Sequence, residues 1–454
     1  MELAEGGDLF DKIEADEGVG EDIAHFYFKQ LLGAVAWCHG RGVAHRDIKP
    51  ENMLLSESGD LKLADFGLAT MFIHPATGER KLHGLVCGSP PYIAPEIVKV
   101  GEDNRKRRHG EDKVGYHADT ADFWSCAIVL FVLLVGNTPW DIPDVDKSEE
   151  FYHFCETMGR PQDDLWTRIP SDTISLLRGM LRVEPSKRFT LEVVRNHPWF
   201  TRTNTHMNSE GKAADGVSLA TNMIERLHID FDAPEFQAPA ATATVSQPQA
   251  PPPAWAAAFA STQPETPIAD QAMDWEAPPR LAAHHNLSAS QPTTADDRTR
   301  AAITHDAIAS LLSQEPHMTQ FSQSHAVPVT LTQQARAFKD ILPQNSLARF
   351  YSAQPMPHVV AMLHSALHAL NVPVSAAPAG VAAAEDQPRH AYIRVQIRDG
   401  RKQALSGNIV VESIGEGGLV EVRFTKAKGD PVEWRRLFKR VVLFCRDVVI
   451  RPNE

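Results

Sequence analysis

The chain has 454 residues, of which 43% are hydrophobic and 23% charged, and its formal net charge is −13. This composition indicates a soluble globular protein of roughly two to four domains, and it excludes a small disulfide scaffold and a collagen-like chain. The acidic balance argues against direct nucleic acid binding through bulk positive charge. The five cysteines stand far apart without a C-x-x-C pair, which predicts a reducing compartment and no structural zinc site.

The amino terminus predicts neither a signal peptide nor a membrane anchor. Glu2 and Glu5 stand where a signal peptide would have basic residues. The longest apolar stretch, residues 124–135, has the length of a buried core helix and is too short to cross a bilayer. We therefore expect a soluble intracellular protein with no transmembrane segment.

Residues 1–203 are predicted to form a compact, mostly helical domain. Apolar residues at helical spacing predict a helix over residues 24–36, and two short strands are predicted at 52–55 and 61–64 around a turn. Residues 101–115 are predicted to be a solvated surface loop. The basic run Arg105-Lys106-Arg107-Arg108 within them leaves a nuclear import signal as the alternative.

Residues 204–344 are predicted to be a disordered linker. Residues 204–343 contain 14 prolines and only 7 Lys or Arg, with Ala, Ser, Thr and Gln filling most of the rest. Such a composition buries too little apolar surface to offset the entropy of ordering. A local helix is predicted near residues 303–312.

Residues 345–454 are predicted to form a small α+β domain. Helical spacing over 359–370 is followed by alternating segments at 392–397 and 419–424, and by a second helical pattern over 434–449. Residues 389–451 contain 14 basic and 7 acidic residues, a net charge of +7 on an otherwise acidic chain.

The strongest signal is His45-Arg46-Asp47-Ile48-Lys49-Pro50-Glu51-Asn52, followed by Asp65-Phe66-Gly67 and Ala94-Pro95-Glu96. Three such motifs in this order resemble the protein kinase signature set. The resemblance implies that Asp47 accepts the proton of a substrate hydroxyl and that Lys49 offsets charge on the phosphoryl group. It also implies that Asn52 and Asp65 hold the Mg²⁺ ions of Mg·ATP.

Further motifs extend this resemblance along residues 1–203. Asp122 resembles the aspartate that braces the kinase catalytic loop, and Arg188 resembles the buried partner of Glu96. Ser89 stands where serine/threonine kinases usually have threonine. Because a hydroxyl is retained there, specificity for serine and threonine substrates is expected.

Residues 1–13, with Gly6-Gly7-Asp8-Leu9-Phe10-Asp11, resemble the hinge and following helix of the checkpoint kinase 1 family of serine/threonine kinases. The resemblance implies that the backbones of Glu2 and Ala4 bond adenine and that Leu54 lies under the base. Asp8 and Glu51 are candidates to pair with an arginine of the substrate. For Asp8, a plain cap at the start of a helix is an equal alternative.

The chain departs from the kinase pattern upstream of residue 1. By this alignment it lacks the glycine-rich loop, the strand lysine and the glutamate partner of that lysine. We therefore expect a kinase C-lobe without an N-lobe. An incomplete gene model and a natural fragment remain alternatives, and so do an active and an inactive chain.

Seven Ser/Thr-Gln pairs lie in the linker within residues 246–333, where chance would give about 1.7 from the composition of those 88 positions. They resemble targets of the large damage-sensing kinases, which are the implied upstream partners. The implied phosphorylation sites are Ser246, Thr262, Ser290, Ser313, Thr319, Ser322 and Thr332. A polar linker of biased composition is the alternative.

Two segments near the carboxyl terminus, residues 347–351 and 426–438, resemble motifs of the kinase-associated 1 type regulatory domain. The family implies that this domain folds back on the kinase and restrains it until the linker is phosphorylated. The basic surface also permits a lipid-binding alternative.

Together these features predict a nuclear and cytoplasmic checkpoint kinase that phosphorylates cell-cycle regulators. Its fold class is α+β, with a mostly helical kinase C-lobe, a disordered linker and a small α+β regulatory domain. Two other functions remain open. One is a nutrient- or polarity-signalling kinase with a lipid-binding tail, and the other is a catalytically inactive regulatory fragment.

Overall fold

The computed structural model describes residues 3–74, 77–108, 112–157, 159–160, 163–227, 229, 231, 321, 338, 348–374, 390–398, 404–414 and 419–451. The described residues fall into two compact units. The first unit contains residues 3–227 and Phe338, and the second contains residues 348–451 together with Ile229, Phe231 and Phe321.

Helices dominate the described part of the first unit. They are α1 (Glu21–His39), α2 (Pro95–Lys106), α3 (Ala118–Val135), α4 (Glu149–Glu156), α5 (Asp164–Thr167), α6 (Ser171–Met180), α7 (Leu191–Arg195), α8 (Pro198–Thr201) and α9 (Gly216–Arg226). The predicted helix over residues 24–36 is confirmed as part of α1. Residues 23–28 are all buried, so the first half of the helix lies inside the core. In the second half the buried residues Leu31, Leu32, Val35 and Cys38 recur at helical spacing and form one buried face.

The core of the first unit is built around α3, whose side chains are buried on nearly every face. Helices α1 and α6 contact it. By length and composition α3 could cross a membrane, but 78% of its 18 residues are buried inside the protein, as the predicted core helix requires. Gly136 ends the helix with φ +70°, and a Cβ there would lie 2.0 Å from the Glu14 carbonyl oxygen, so the turn requires glycine.

Short strands lie at the N-terminal side of the first unit. They are β1 (Gly7–Asp8), β2 (Val43–Ala44), β3 (Met53–Leu55), β4 (Leu61–Leu63) and β5 (Thr70–Met71). Strands β1, β3 and β4 form one antiparallel sheet, while β2 pairs with β5. The two predicted strands on either side of the turn are confirmed as β3 and β4.

The predicted absence of an N-lobe is not supported, because the structure has strands from Gly7 onward. That prediction depended on missing motifs, and a strand of two residues such as β1 carries too little alternation to be predicted from sequence. The predicted loop over 101–115 also needs correction. Helix α2 continues to Lys106, so Arg105 and Lys106 lie in its last turn.

Helix α9 lies inside the segment predicted to be linker. Its apolar face is buried, and the Tyr27 hydroxyl lies 3.6 Å from the sulfur of Met223. Residues up to Leu227 therefore belong with the first unit, beyond the predicted boundary at residue 203. The predicted helix over 303–312 lies outside the described residues.

The described part of the second unit is an antiparallel sheet with two helices. Its strands are β6 (Arg349–Ser352), β7 (His390–Arg398), β8 (Ala404–Ile414) and β9 (Leu419–Lys428), in the order β6-β9-β8-β7. Helix α10 spans Met356–Ala369 and α11 spans Pro431–Phe444. The predicted helix over 359–370 and both predicted strands are confirmed. The last helix ends five residues earlier than predicted, at Phe444.

Candidate active site

The loop at residues 45–52 is fixed to the core by one buried carboxylate. Asp122, on α3, accepts the backbone N–H groups of His45 and Arg46, each at 2.9 Å. Its Oδ2 also lies 2.7 Å from Nε2 of His39, at the end of α1. Because the carboxylate is buried, these bonds stabilise one backbone conformation of the loop.

His45 and Arg46 join this loop to the segment that follows β4. The backbone N–H of Asp47 approaches Nδ1 of His45 at 3.3 Å, so Nε2 carries the proton and donates to the Ala64 carbonyl at 2.9 Å. Arg46 adopts φ +68° and donates from Nε to the Leu68 carbonyl at 2.6 Å. The two segments are therefore held in one arrangement.

Asp47 is the centre of a connected polar group. Its Oδ1 accepts the backbone N–H of Ser89 at 3.0 Å and the Ser89 hydroxyl at 2.9 Å. Its Oδ2 lies 3.0 Å from Nζ of Lys49 and 3.2 Å from Nδ2 of Asn52. Lys49 also donates to the Ser89 hydroxyl at 2.9 Å. Only 6% of Asp47 is exposed, so the carboxylate is held in one orientation.

Ser89 reaches this group because the backbone turns sharply at Gly88. That glycine has φ +102°, and a Cβ there would lie 2.8 Å from the Arg46 carbonyl oxygen. Any larger residue would push the segment away from the loop. Burial raises the pKa of the nearby Cys87 thiol, which argues against a nucleophilic cysteine here.

Asp65 directly follows Ala64, whose carbonyl oxygen is bonded by His45, and it adopts a left-handed conformation with φ +59°. Its Oδ1 accepts the backbone N–H of Gly67 at 3.2 Å and caps a short 3₁₀ helix, Phe66–Leu68. The Phe66 ring packs edge-on against His45, with 4.8 Å between centroids. Asp65 is exposed, in contrast to buried Asp47 and Asn52.

A buried ion pair ties the segment carrying Ser89 to the rest of the unit. Arg188 donates from its two terminal nitrogens to the two oxygens of Glu96, at 2.9 and 3.0 Å. It also donates to the Thr120 carbonyl at 3.0 Å. The predicted partnership of Glu96 and Arg188 is confirmed by this geometry.

Comparison with known proteins agrees with this geometry. The protein kinase domain family model matches residues 1–200. The chain is 34% identical over 442 residues to serine/threonine-protein kinase chk1 of Schizosaccharomyces pombe, an alignment covering 97% of this chain and 79% of that protein.

The chain belongs to the Chk1 family of serine/threonine protein kinases. A second member, CHK1 of Saccharomyces cerevisiae, is 33% identical over 473 aligned positions that cover 100% of this chain and 82% of that protein. CHK1 of Mycosarcoma maydis is 47% identical over 232 residues, covering 51% of this chain and 32% of that protein.

A Chk1-type kinase domain implies ATP and a divalent cation, and the residues present fit such a pair. The Asn52 amide nitrogen is turned towards Asp47, with a second bond of 2.8 Å to its carbonyl. Because these bonds use the amide nitrogen, the Asn52 amide oxygen is a candidate cation ligand, and the Asp65 carboxylate is a second one. Oxygen atoms are the ligands that a hard cation prefers. Among the described residues there is no cluster of three or more His, Cys, Asp and Glu that could hold a metal alone.

The other predicted site residues of this Chk1-family chain are only partly described. The Ala4 carbonyl accepts the backbone N–H of Gly7 at 3.2 Å, and half-buried Leu54 pairs with Asp8 across β3 and β1. Asp8 accepts the backbone N–H of Asp11 at 2.7 Å, which is the capping alternative. Glu51 lies half-buried at the start of a 3₁₀ helix. Glu2 and the seven Ser/Thr-Gln sites lie outside the described residues.

Three contacts that support the Chk1-type site were missed from sequence. Two of them are the His39 bond to Asp122 and the Arg46 bond to Leu68. In the third, one terminal nitrogen of Arg80 lies 2.6 Å from each of the two carboxylate oxygens of Asp119. The last one fixes the segment between Asp65 and Ser89 to the start of α3. No spacing rule would have found it, because the partners are 39 residues apart.

Proposed function

We propose that this chain transfers the γ-phosphoryl group of ATP to serine or threonine of cell-cycle regulators in the DNA-damage and replication checkpoint. The observation that carries the catalytic part is the polar group in which Asp47 bonds Lys49, Asn52 and Ser89. Membership of the Chk1 family supports the checkpoint part.

In this proposal, Asn52 and Asp65 would hold Mg²⁺, which when bound would neutralise charge on the ATP phosphates. Asp47 orients the substrate hydroxyl and accepts its proton, since its oxygens are fixed by four hydrogen-bond donors from Lys49, Asn52 and Ser89. Lys49, at 3.0 Å from Asp47, offsets negative charge as the phosphoryl group moves. Positioning of this kind carries most of the rate in phosphoryl transfer.

Substrate selection is proposed to depend on acidic residues near the site. Asp8 and Glu51 are the candidates to pair with an arginine upstream of the target hydroxyl. Asp8 also accepts the backbone N–H of Asp11 at 2.7 Å.

Regulation is proposed to involve the second unit. Its sheet of four strands and its two helices suit a kinase-associated 1 type domain that restrains the kinase. Upstream damage-sensing kinases would phosphorylate the Ser/Thr-Gln cluster and relieve that restraint. We propose nuclear and cytoplasmic localisation, with exposed Arg105 to Arg108 as the candidate import signal.

The test is phosphate transfer by the purified 454-residue chain to a basophilic peptide, with ATP binding measured alongside. The Asp47→Ala variant is expected to bind ATP as the parent does and to lose at least a hundredfold in transfer rate. An exposed aspartate, changed as Asp164→Ala, is the matched control and should keep full activity.

Two outcomes would contradict the catalytic proposal. Transfer that persists in Asp47→Ala would mean that a contaminant or another residue is responsible. ATP binding without transfer by the parent chain would favour the inactive regulatory fragment instead.

A further inference from the structure

Phe338 lies in the sequence predicted to be linker, yet its side chain is buried in the first unit. Only 1% of the residue is exposed. Its ring lies against Gly59, where an added Cβ would meet the ring at 2.7 Å. Its Cβ lies 3.6 Å from the position a Cβ would take at Gly216. Gly59 thus leaves space that the aromatic side chain fills.

The surface that receives Phe338 is fixed by internal hydrogen bonds. Its floor is the turn between β3 and β4, where the Ser56 N–H donates to the Asp60 carbonyl at 2.8 Å. Asp60 in turn accepts from Gln30 on α1 and from the backbone N–H of Ala213, both at 2.8 Å. A receiving surface braced in this way loses little entropy when an aromatic residue binds.

A cleft of about 540 Å³ continues from the Phe338 ring along the surface of the first unit. Exposed Leu3 and half-buried Val217 contribute apolar lining. The ionisable lining residues are Glu5, Glu57, Asp215 and Lys62. Acidic groups therefore exceed basic groups by two, which favours a cationic ligand segment.

The sequence around Phe338 has the complementary charge. Arg336 stands two residues before it, Lys339 directly after it and Asp340 next, so residues 330–344 have a net charge of +1. The nearest Ser/Thr-Gln site is Thr332, six residues upstream. We propose that Phe338 is the aromatic anchor of an intramolecular docking site, which fastens this basic linker segment to the first unit and is weakened by phosphate on Thr332.

The anchor is independent of catalysis, whereas the phosphate effect rests on the proposed regulation by upstream kinases. A phosphate on Thr332 adds nearly two negative charges close to an acidic cleft, so repulsion lowers the affinity of the segment. We therefore expect phosphorylation of Thr332 to weaken the docking of this segment on the first unit.

The experiment measures binding of a fluorescent peptide of residues 330–344 to the full chain carrying Phe338→Ala, in which the anchor is removed. We expect it to bind at least tenfold more tightly than the same peptide with Phe338→Ala. The parent chain should bind the peptide more weakly than the variant does, because its own Phe338 competes. Equal affinity of the two peptides, or of the two chains, would overturn the anchor.

A second peptide and a second measurement complete the test. The peptide phosphorylated on Thr332 should bind several-fold more weakly, and unchanged affinity would overturn the electrostatic part. Trypsin should cleave after Arg336 and Lys339 several-fold faster in Phe338→Ala than in the parent, whereas Phe259→Ala, a linker control, should leave both rates unchanged. Equal rates in all three chains would also overturn the anchor, and neither measurement depends on kinase activity.

Discussion

The hydroxyl of Ser89 donates to Oδ1 of Asp47 at 2.9 Å while it accepts from Lys49 at the same distance. One small side chain thus bridges the proposed base and the proposed electrostatic stabiliser. Position 89 therefore helps to orient the two groups that we propose to act on the substrate, although it is 42 residues from Asp47 in sequence.

Removing this hydroxyl should slow phosphate transfer. In Ser89→Ala, Asp47 loses a donor and Lys49 an acceptor, and a hydrogen bond to a charged group contributes about 1.5–3 kcal/mol. We expect the rate constant for transfer to fall about ten- to a hundredfold, as measured with labelled ATP and a basophilic peptide. Ser89→Thr retains the hydroxyl and should keep most of the rate.

Ser175 is exposed on α6 and serves as the control for that substitution. Ser175→Ala should have the parent rate. A Ser89→Ala enzyme as active as Ser89→Thr would show that the bridge does not contribute to catalysis.

Loss of the exposed carboxylate at position 65 should weaken the binding of Mg²⁺ during phosphate transfer. Asp65→Asn is expected to raise the Mg²⁺ concentration for half-maximal transfer about tenfold or more, because a neutral amide attracts a divalent cation less strongly. The measurement is the transfer rate across a Mg²⁺ titration. Removal of the cation by a chelator should stop transfer in both proteins.

Asp146 is an exposed aspartate away from the loop at residues 45–52. Asp146→Asn should reproduce the parent Mg²⁺ titration. An Asp65→Asn titration that overlays that of the parent would exclude Asp65 as a cation ligand.

The ion pair of Arg188 and Glu96 should contribute strongly to stability. The Arg188 side chain is 1% exposed, so Arg188→Met leaves the Glu96 carboxylate without its guanidinium partner. Breaking a buried pair by removing one partner costs about 3–5 kcal/mol. Denaturant unfolding followed by tryptophan fluorescence measures the loss.

The neighbouring residue provides a matched control. Lys187 pairs with Glu184 at 2.6 Å, but these side chains are 71% and 56% exposed. Exposed pairs contribute about 1 kcal/mol or less, so Lys187→Met should be nearly neutral. An equal loss of unfolding free energy in Arg188→Met and Lys187→Met would contradict the prediction that the buried pair contributes more than the exposed pair.

His25 should make the first unit less stable in mild acid. Burial lowers the pKa of its imidazole from 6.5 to about 4. Its Nε2 lies 3.1 Å from the Phe200 carbonyl and its Nδ1 lies 2.9 Å from the Asn204 amide nitrogen, contacts that suit the neutral ring. The unfolded chain therefore binds a proton more readily, and the contribution of His25 to stability is lost as the pH falls from 6.5 to 4.

The measurement is the free energy of unfolding between pH 7 and pH 4. In His25→Gln the acid-dependent loss should be smaller by about 1–3 kcal/mol. His153, which is 55% exposed, gives the control variant His153→Gln, and its pH profile should match that of the parent. A His25→Gln profile parallel to that of the parent would contradict the prediction.

Features that depend on residues close together in sequence were predicted, whereas most features that depend on distant residues were not. Asp47, Lys49 and Asn52 lie within six residues, so a local motif placed them in one polar group. Helix α1 was predictable because its apolar residues repeat over several turns. The two-residue strands were not predictable, since they have almost no alternation to detect.

Long-range contacts account for most of the remaining differences. The bond between Arg80 and Asp119 joins distant segments, and the space for the Phe338 ring depends on Gly59, which is far from it in sequence. Helix α9 was assigned to the linker because composition was averaged over 140 positions, which concealed its apolar face. Strand β8 was missed because Ser406, Gly407 and Asn408 interrupt its apolar pattern.

Helix α3 has no hydrophilic face with which it could remain in water on its own. During synthesis it emerges after α1 but before α6, so part of its surface stays uncovered until later residues leave the ribosome. An uncovered apolar helix promotes aggregation of the nascent chain. The yield of folded protein in cells should accordingly depend on chaperone supply and on translation speed.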